Sequence, residues 1–232
     1  MSQTLALIHT SPTLVPMFSA LCEEQIPDAI IFHMVDESLI KDTILEGSLR
    51  RVTMRRLLMM IESAKLSGAD AVMVTCSSIG AAVAIAQQLF DLPVIRVDEA
   101  MAEEAVRIGK RIGVIATLRT TLEPTIALLQ EKAIEAGREI EIVDSLCDEA
   151  FEAVLAGDTV THDQIVGKAL IETMRSVDVV VLAQASMSRV VKSLPRSALK
   201  VPVLSSPELA VMRTREILSE LMATVTDARA KG

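Results

Sequence analysis

Tryptophan and tyrosine are absent from this 232-residue chain and phenylalanine occurs only four times, so the interior must be packed from Val, Ile, Leu, Ala and Met. Cysteine is scarce too. Three residues at irregular spacing give no disulfide framework, and Met1-Ser2-Gln3-Thr4 lacks the positively charged start of a secretory signal. A reducing cytoplasm is the expected location. Basic residues are outnumbered 23 to 31 by acidic ones, for a net charge of −8, and form no long run; this argues against nucleic acid or an anionic membrane as the main partner. There is no glycine-rich phosphate loop, Ser-His-Asp signature or paired metal motif, and His33 and His162 lack metal-ligand spacing. Nothing implies a cofactor or a metal.

One uncharged stretch, Ala71 to Phe90, is long enough to cross a bilayer. Thr75, Ser77, Ser78 and Gly80 near its start, Gln87 and Gln88 near its end, and the bracketing Asp70 and Asp91 fit a buried parallel strand running into a buried helix better.

What the chain does have is a repeat. Asp70-Ala71-Val72-Met73-Val74-Thr75-Cys76-Ser77-Ser78 aligns on Asp178-Val179-Val180-Val181-Leu182-Ala183-Gln184-Ala185-Ser186 at a shift of 108 residues. Leu7-Ile8-His9-Thr10 falls on Val114-Ile115-Ala116-Thr117 at 107, and Leu92-Pro93-Val94-Ile95 on Val201-Pro202-Val203-Leu204 at 109. A period near half the chain means a duplicated lobe, since solenoid repeats are much shorter. The duplicate of Cys76 is Gln184. Ligand sites favour the cleft between domains, so the two positions are expected to face one another across a ligand, a thiol on one side and an amide on the other.

Strand and helix signals alternate through both halves. Strands are expected at residues 4–8, 30–34, 72–74, 94–97, 111–116, 139–143, 179–182 and 201–204. Helices are expected at 14–24, 48–66, 78–89, 99–108, 122–136 and 207–226, with another running to residue 174 from a capping box at Thr161-His162-Asp163-Gln164. Asp98 is placed to cap the helix that starts at Glu99. Arg50, Arg51, Arg55 and Arg56 read as the solvent face of their helix. The alternation predicts an α/β fold of two pseudo-symmetric lobes from an internal duplication, each a parallel sheet flanked by helices. Residues 1–98 plus 208–232 form the first lobe and 99–207 the second. Right-handed crossovers bring the functional loops to the carboxyl ends of the strands.

Cys76 follows a short buried strand and precedes a helix, so the amides of Ser77 and Ser78 are expected to point outward with the positive end of the helix dipole. That setting favours a thiolate, and the same amides and hydroxyls can hold a carboxylate or a developing enolate oxygen. The alternative is a small buried core residue, the usual fate of a free cysteine. Cys22, among Phe18, Leu21 and Ile26, reads as core, and so does Cys147, though it follows a second-lobe strand. The matched loops His9-Thr10-Ser11-Pro12 and Ala116-Thr117-Leu118-Arg119-Thr120-Thr121 supply further ligand candidates. Arg119 is a candidate carboxylate clamp or an ordinary exposed arginine; His9 is a candidate general acid or a hydrogen-bonded strand-end histidine.

Val74-Thr75-Cys76-Ser77-Ser78, Arg111-Ile112-Gly113-Val114-Ile115-Ala116-Thr117 and Leu182-Ala183-Gln184-Ala185-Ser186-Met187 together resemble the aspartate/glutamate/hydantoin racemase superfamily, which includes arylmalonate decarboxylase and maleate isomerase. The resemblance covers essentially the whole chain. It implies two α/β lobes with one cysteine from each, one thiolate removing a proton from the substrate carbon while the other thiol supplies a proton from the opposite face. Here the first cysteine matches and Gln184 stands in place of the second, which a two-base racemase needs. By the same resemblance, His9, Thr10, Ser11, Ser77, Ser78, Thr117, Arg119, Thr120, Thr121, Ala185 and Ser186 line the substrate site around Cys76 and Gln184.

The reading is therefore a cofactor-independent isomerase or racemase of a small carboxylic acid working through Cys76. A decarboxylase or lyase that uses one thiol as proton donor is the first alternative, covalent addition to a double bond followed by rotation another, and a carboxylate-binding protein without turnover a third. Arylmalonate decarboxylase also manages with one cysteine, but at the position resembling Gln184. The substrate, the oligomeric state, with a homo-oligomer open, and whether Cys147 or His9 serves in place of the second cysteine are not set by the sequence.

Overall fold

In the computed structural model, which describes residues 2–230, the first half of the chain forms β1 (Thr4–His9), α1 (Val15–Gln25), β2 (Ile30–Val35), α2 (Glu37–Glu46), α3 (Arg51–Leu66), β3 (Ala71–Val74), α4 (Ala81–Leu89) and β4 (Val94–Arg96). Then come α5 (Glu99–Ile108), β5 (Arg111–Ala116), α6 (Arg119–Glu135), β6 (Glu141–Leu146), α7 (Asp148–Leu155), α8 (Thr159–Thr173), β7 (Val179–Leu182), α9 (Ser188–Ser193), β8 (Val203–Ser205) and α10 (Ser206–Ala230). The aliphatic strands β1, β3, β5 and β7 are almost wholly buried, as parallel strands covered on both faces must be. They are the inner strands of two all-parallel sheets with the orders β2-β1-β3-β4 and β6-β5-β7-β8.

The same α/β arrangement is thus built twice, and the repeat survives in its registers. Ile8 pairs with Val74 in one sheet and Ile115 with Leu182 in the other. Asp70 and Asp178, equivalent in the repeat, do the same work at the amino ends of their sheets: Asp70 Oδ2 accepts the Thr4 amide at 2.8 Å, and Asp178 Oδ2 accepts the Arg111 amide at 2.7 Å.

Two compact units result, one of Met1–Asp42, Arg50–Val97 and Pro207–Gly232, the other of Thr43–Leu49 and Asp98–Ser206. In the first, Leu5, Leu7, Phe18, Met73 and Ile95 pack with Ala210, Val211 and Leu218 of α10. In the second, Ile115, Val166, Leu170, Val180, Leu182 and Met187 form the core. The uncharged stretch of residues 71–90 is β3, a short turn and α4, and among the described residues no helix is long and apolar enough to cross a membrane.

Several local expectations need correction. Helices α2 and α7 occupy segments where no element was expected. Helix α2 buries Leu39 and Thr43 and starts beside Asp36, whose carboxylate accepts the Ser38 amide at 3.0 Å. The short α7 carries Asp148 and Glu149 in its first turn, which suits the helix dipole. Asp98 makes no side-chain cap bond to α5. Arg56 is not a solvent-facing charge: it reaches across to Asp36 at 2.5 Å and Asp42 at 2.9 Å. Thr161 is not a cap either. Helix α8 begins three residues earlier, with Asp158 as N-cap accepting the Thr161 amide at 3.0 Å and the Thr161 hydroxyl at 2.6 Å. A carboxylate at this end satisfies an orphan amide and meets the dipole, which outcompetes the threonine.

Asp158→Ala is expected to lower unfolding stability by about 1 kcal/mol, read from urea denaturation, and Thr161→Ala by less, because the amide bond to Asp158 persists. The reverse order would place the cap at Thr161.

Candidate functional site

Parallel pairing of β1 with β3 sets the carboxyl ends of two buried strands side by side, so the residues just beyond them, Thr10 and Cys76, come together. Thr10 is buried, and its hydroxyl donates to the Cys76 sulfur. At Cys76 the extended backbone (φ −128°, ψ 115°) turns into a short 3-10 segment, Ser77–Ile79, that leads into α4. The amides of Ser78 and Ile79 in this turn point at the sulfur, that of Ile79 also reaching the Cys76 carbonyl at 3.3 Å, and the Ser78 hydroxyl adds a fourth donor.

This nest does not make a ready thiolate. Burial pushes the Cys76 thiol above its ordinary value, and the four hydrogen bonds oppose that shift without reversing it. The expectation of a lowered value is corrected: the residue keeps some exposed surface, but the sulfur itself is dry enough for desolvation to outweigh the helix end. The backbone donors on the sulfur are the amides of Ser78 and Ile79. The other two thiols are buried. Burial alone raises Cys22 to about 11, and Cys147 is raised by burial and by Asp148, against a Ser145 hydrogen bond.

His9 is fully buried behind this loop, with both ring nitrogens engaged. Proton counting fixes the direction of the bonds. The single Thr75 hydroxyl proton goes to the Ile8 carbonyl at 3.1 Å, so the hydroxyl accepts from His9 Nδ1 at 2.8 Å. His9 Nε2 then accepts from His33 Nδ1 at 2.8 Å, and His33 Nε2 accepts from the Ser19 hydroxyl at 3.0 Å. Burial, with His33 adding, lowers His9 to about 4, and burial lowers His33, so both rings are neutral at pH 7 and this chain is complete. His9 is a strut between β1 and β3, not a free acid. Ser11 bonds Thr13 across its own turn at 2.8 Å.

Arg96 was not anticipated. It ends β4 beside Val74 of β3 and is nearly buried. Its guanidinium lies flush on the turn after Cys76, so a Cβ on Gly80 would come within 2.8 Å of Arg96 Cζ. Gly80 has ordinary helical dihedrals, and its need is for space. The signal in sequence was a charge closing an apolar strand, Val94-Ile95-Arg96.

The second unit repeats this geometry with different chemistry. Gln184 has the same extended backbone (φ −128°, ψ 135°) and leads into an equivalent turn, Ala185–Met187. Its side chain is already committed. Oε1 accepts the Thr117 amide at 2.6 Å and the Thr117 hydroxyl at 3.0 Å, while Nε2 lies 2.8 Å from the same hydroxyl. The Thr10–Cys76 pair of one unit is the Thr117–Gln184 pair of the other. Arg119, Thr120 and Thr121 lie in the first turn of α6, not in a loop. Arg119 is exposed and pairs with Glu123 at 3.6 Å, Thr121 is buried, Ala185 half-buried and Ser186 exposed. The Thr120 hydroxyl is buried without a hydrogen-bond partner. Among the described residues no cluster of His, Cys, Asp and Glu is arranged to hold a metal.

The Asp/Glu/hydantoin racemase family profile matches residues 7–214. The chain belongs to this family. As a family member it is a racemase-type enzyme, and its fold is similar to solved racemases. Against glutamate racemase isoform RacE1 from Bacillus anthracis the TM-score is 0.71 at 20% identity, covering 94% of this chain and 82% of that one. Against allantoin racemase from Klebsiella pneumoniae it is 0.70 at 18% identity, covering 95% and 89%. Against the aspartate racemase of Picrophilus torridus it is 0.71 at 14% identity, covering 93% and 95%. None of the curated proteins matches. At these identities the likeness is one of fold; the chemistry of this family member has to be read from its own strand ends.

Because burial raises the Cys76 thiol, its alkylation rate in the free protein should keep climbing past pH ~8.5, the ordinary thiol value, as measured with iodoacetamide; a plateau below neutrality would show that the donors prevail. Gly80→Ala should displace Arg96 and change the Cys76 alkylation rate while costing about 1–2 kcal/mol of stability. An unchanged rate would mean that Arg96 does not shape the turn around the thiol.

Proposed function

We propose that this racemase-family enzyme is cofactor-independent and moves a proton at the α-carbon of a small carboxylic acid, with Cys76 as the only acid–base thiol. The observation that carries the reading is the contrast between the duplicated strand ends: Cys76 sits among four donors, whereas Gln184 is tied to Thr117 and has no proton to give at neutral pH. In the forward step the thiolate takes the α-proton and the electron pair passes into the carboxylate as an enolate. In the return step the same S–H gives the proton back. The nest bears on both steps, since its donors stabilise negative charge on sulfur during proton removal while burial favours the thiol that gives the proton back. Thr10, Ser11, Ser77 and Ser78 are the proposed substrate contacts on this strand-end face, and Thr117, Thr120 and Thr121 are the corresponding candidates at the second unit's own strand ends. Arg119, drawn to Glu123, is not retained as the carboxylate clamp.

The locked amide also favours a second reading, decarboxylation of a malonate-type acid. Loss of CO₂ generates the enolate, and Cys76 then delivers one proton to one face. This needs a single thiol in its protonated form, the form burial favours.

Incubation of single-enantiomer 2-substituted carboxylic acids in D₂O should show α-hydrogen exchange that outruns racemisation, both lost in Cys76→Ala by a factor of at least about 10². Gln184→Cys should raise the ratio of racemisation to exchange. Equal rates of racemisation and exchange in the unaltered protein would defeat the one-thiol mechanism, and CO₂ release from a malonate would select the second reading.

A further inference from the structure

Helix α3 begins with the wrong charge for its dipole. The amino end of a helix is its positive pole and attracts acidic side chains, yet no acid lies in the first turn of α3 and its N-cap residue, Arg50, makes no side-chain cap bond. Arg51 and Arg55 follow, one turn apart and exposed. Asp36 and Asp42 meet the charge of Arg56, but among the described residues no acid pairs with Arg51 or Arg55. Met54 is the first residue to bond back into the helix, its amide reaching the Arg50 carbonyl at 3.0 Å, so the amides of Arg51, Val52 and Thr53 have no acceptor within it. Thr53 adds a further donor: it is 1% exposed, and its hydroxyl is buried without a hydrogen-bond partner. It stands third in the helix, the position whose side chain tilts toward the amino end and can reach back to it.

The duplicate of this helix shows what is missing. Helix α8 buries His162, Val166, Leu170 and Thr173 as α3 buries Thr53, Leu57, Ile61 and Ala64, at a shift of 109 residues, and it brings its own anion, the Asp158 carboxylate that accepts the Thr161 amide. Helix α3 has none. It packs on β1 and β3 and runs into the amino end of β3, so its own amino end points toward the carboxyl ends of the strands. From Leu66 back to Thr53 it climbs about 20 Å, roughly the length of β1, which sets Thr53 level with the edge that bears Thr10 and Cys76. We infer that the amino end of α3 binds a phosphate group, carried by the substrate as a phosphorylated carboxylic acid. The substrate class rests on the proton transfer proposed for Cys76, whereas the phosphate site stands without it. A carboxylate brings one charge and two oxygens to two unpaired guanidinium groups, three amides and a hydroxyl. A phosphate dianion matches both charges and presents three strong acceptor oxygens.

Titration calorimetry of the full chain with inorganic phosphate at low ionic strength should show one site, equally in Cys76→Ala. Arg51→Gln combined with Arg55→Gln, both on the surface, should weaken phosphate binding about tenfold or more. Thr53→Val, which keeps the shape of the side chain, should weaken it about threefold or more, and Thr53→Ser should retain it. 3-Phosphoglycerate should bind about tenfold or more tighter than glycerate, a preference the double arginine variant erases. No phosphate binding, or binding indifferent to these variants, would overturn the site, and glycerate bound as tightly as its phosphate ester would overturn the substrate class. Phosphate bound as expected, with no Cys76-dependent hydrogen exchange on any 2-substituted acid, would uphold the site and sink the proton transfer.

Discussion

The parallel pairing of β1 with β3 is the constraint on which the first strand-end site depends. Both strands are buried on both faces and cannot slip without moving aliphatic side chains out of register with their covering helices. Ile8 is held opposite Val74, and three consequences follow one residue at a time. His9 meets Thr75, Thr10 meets Cys76, and the backbone turns so that the amides of Ser78 and Ile79 face the sulfur. The neutral His33–His9–Thr75 chain stiffens this junction from behind. A charged histidine would need a donor turned into an acceptor somewhere along it, and burial keeps both rings uncharged at pH 7.

Most of the sheet architecture was legible in the sequence because it follows from patterns of a single kind. Short runs such as Val179-Val180-Val181-Leu182 and Ala71-Val72-Met73-Val74 can be buried only as inner strands. Their repetition at 108 residues carries the whole arrangement from one half to the other, and the equal strand orders are its consequence. Helices α2 and α7 were not legible. Their apolar positions are few, and they form because tertiary contacts at Leu39, Thr43 and Ala150 reward them. The start of α8 was misplaced for a similar reason: Asp158 and Thr161 both look like caps, and only the direction of the entering chain decides between them.

The site was legible in part. Cys76 and Gln184 could be singled out because the repeat sets them against each other, and Thr10 and Thr117 follow from the same alignment. What sequence could not weigh was the competition between a helix end, which lowers a thiol's pKa, and burial, which raises it; the sum depends on how dry the sulfur is. Nor could it show that Arg119 would turn along its helix to Glu123, or that Arg96 would fold over Gly80. Both depend on which neighbour a long side chain finds, a matter of distances across the fold.

Duplication supplied two copies of one strand-end geometry, and the chain has spent them differently. In each, a threonine beyond the first inner strand bonds the residue beyond the second, so a thiol and an amide hold equivalent positions in the two units. The amide oxygen takes both the Thr117 amide and its hydroxyl, whereas the thiol takes the hydroxyl of Thr10. The Thr120 hydroxyl, in the first turn of α6, is buried without a hydrogen-bond partner, so its desolvation is not offset by any protein group beside it.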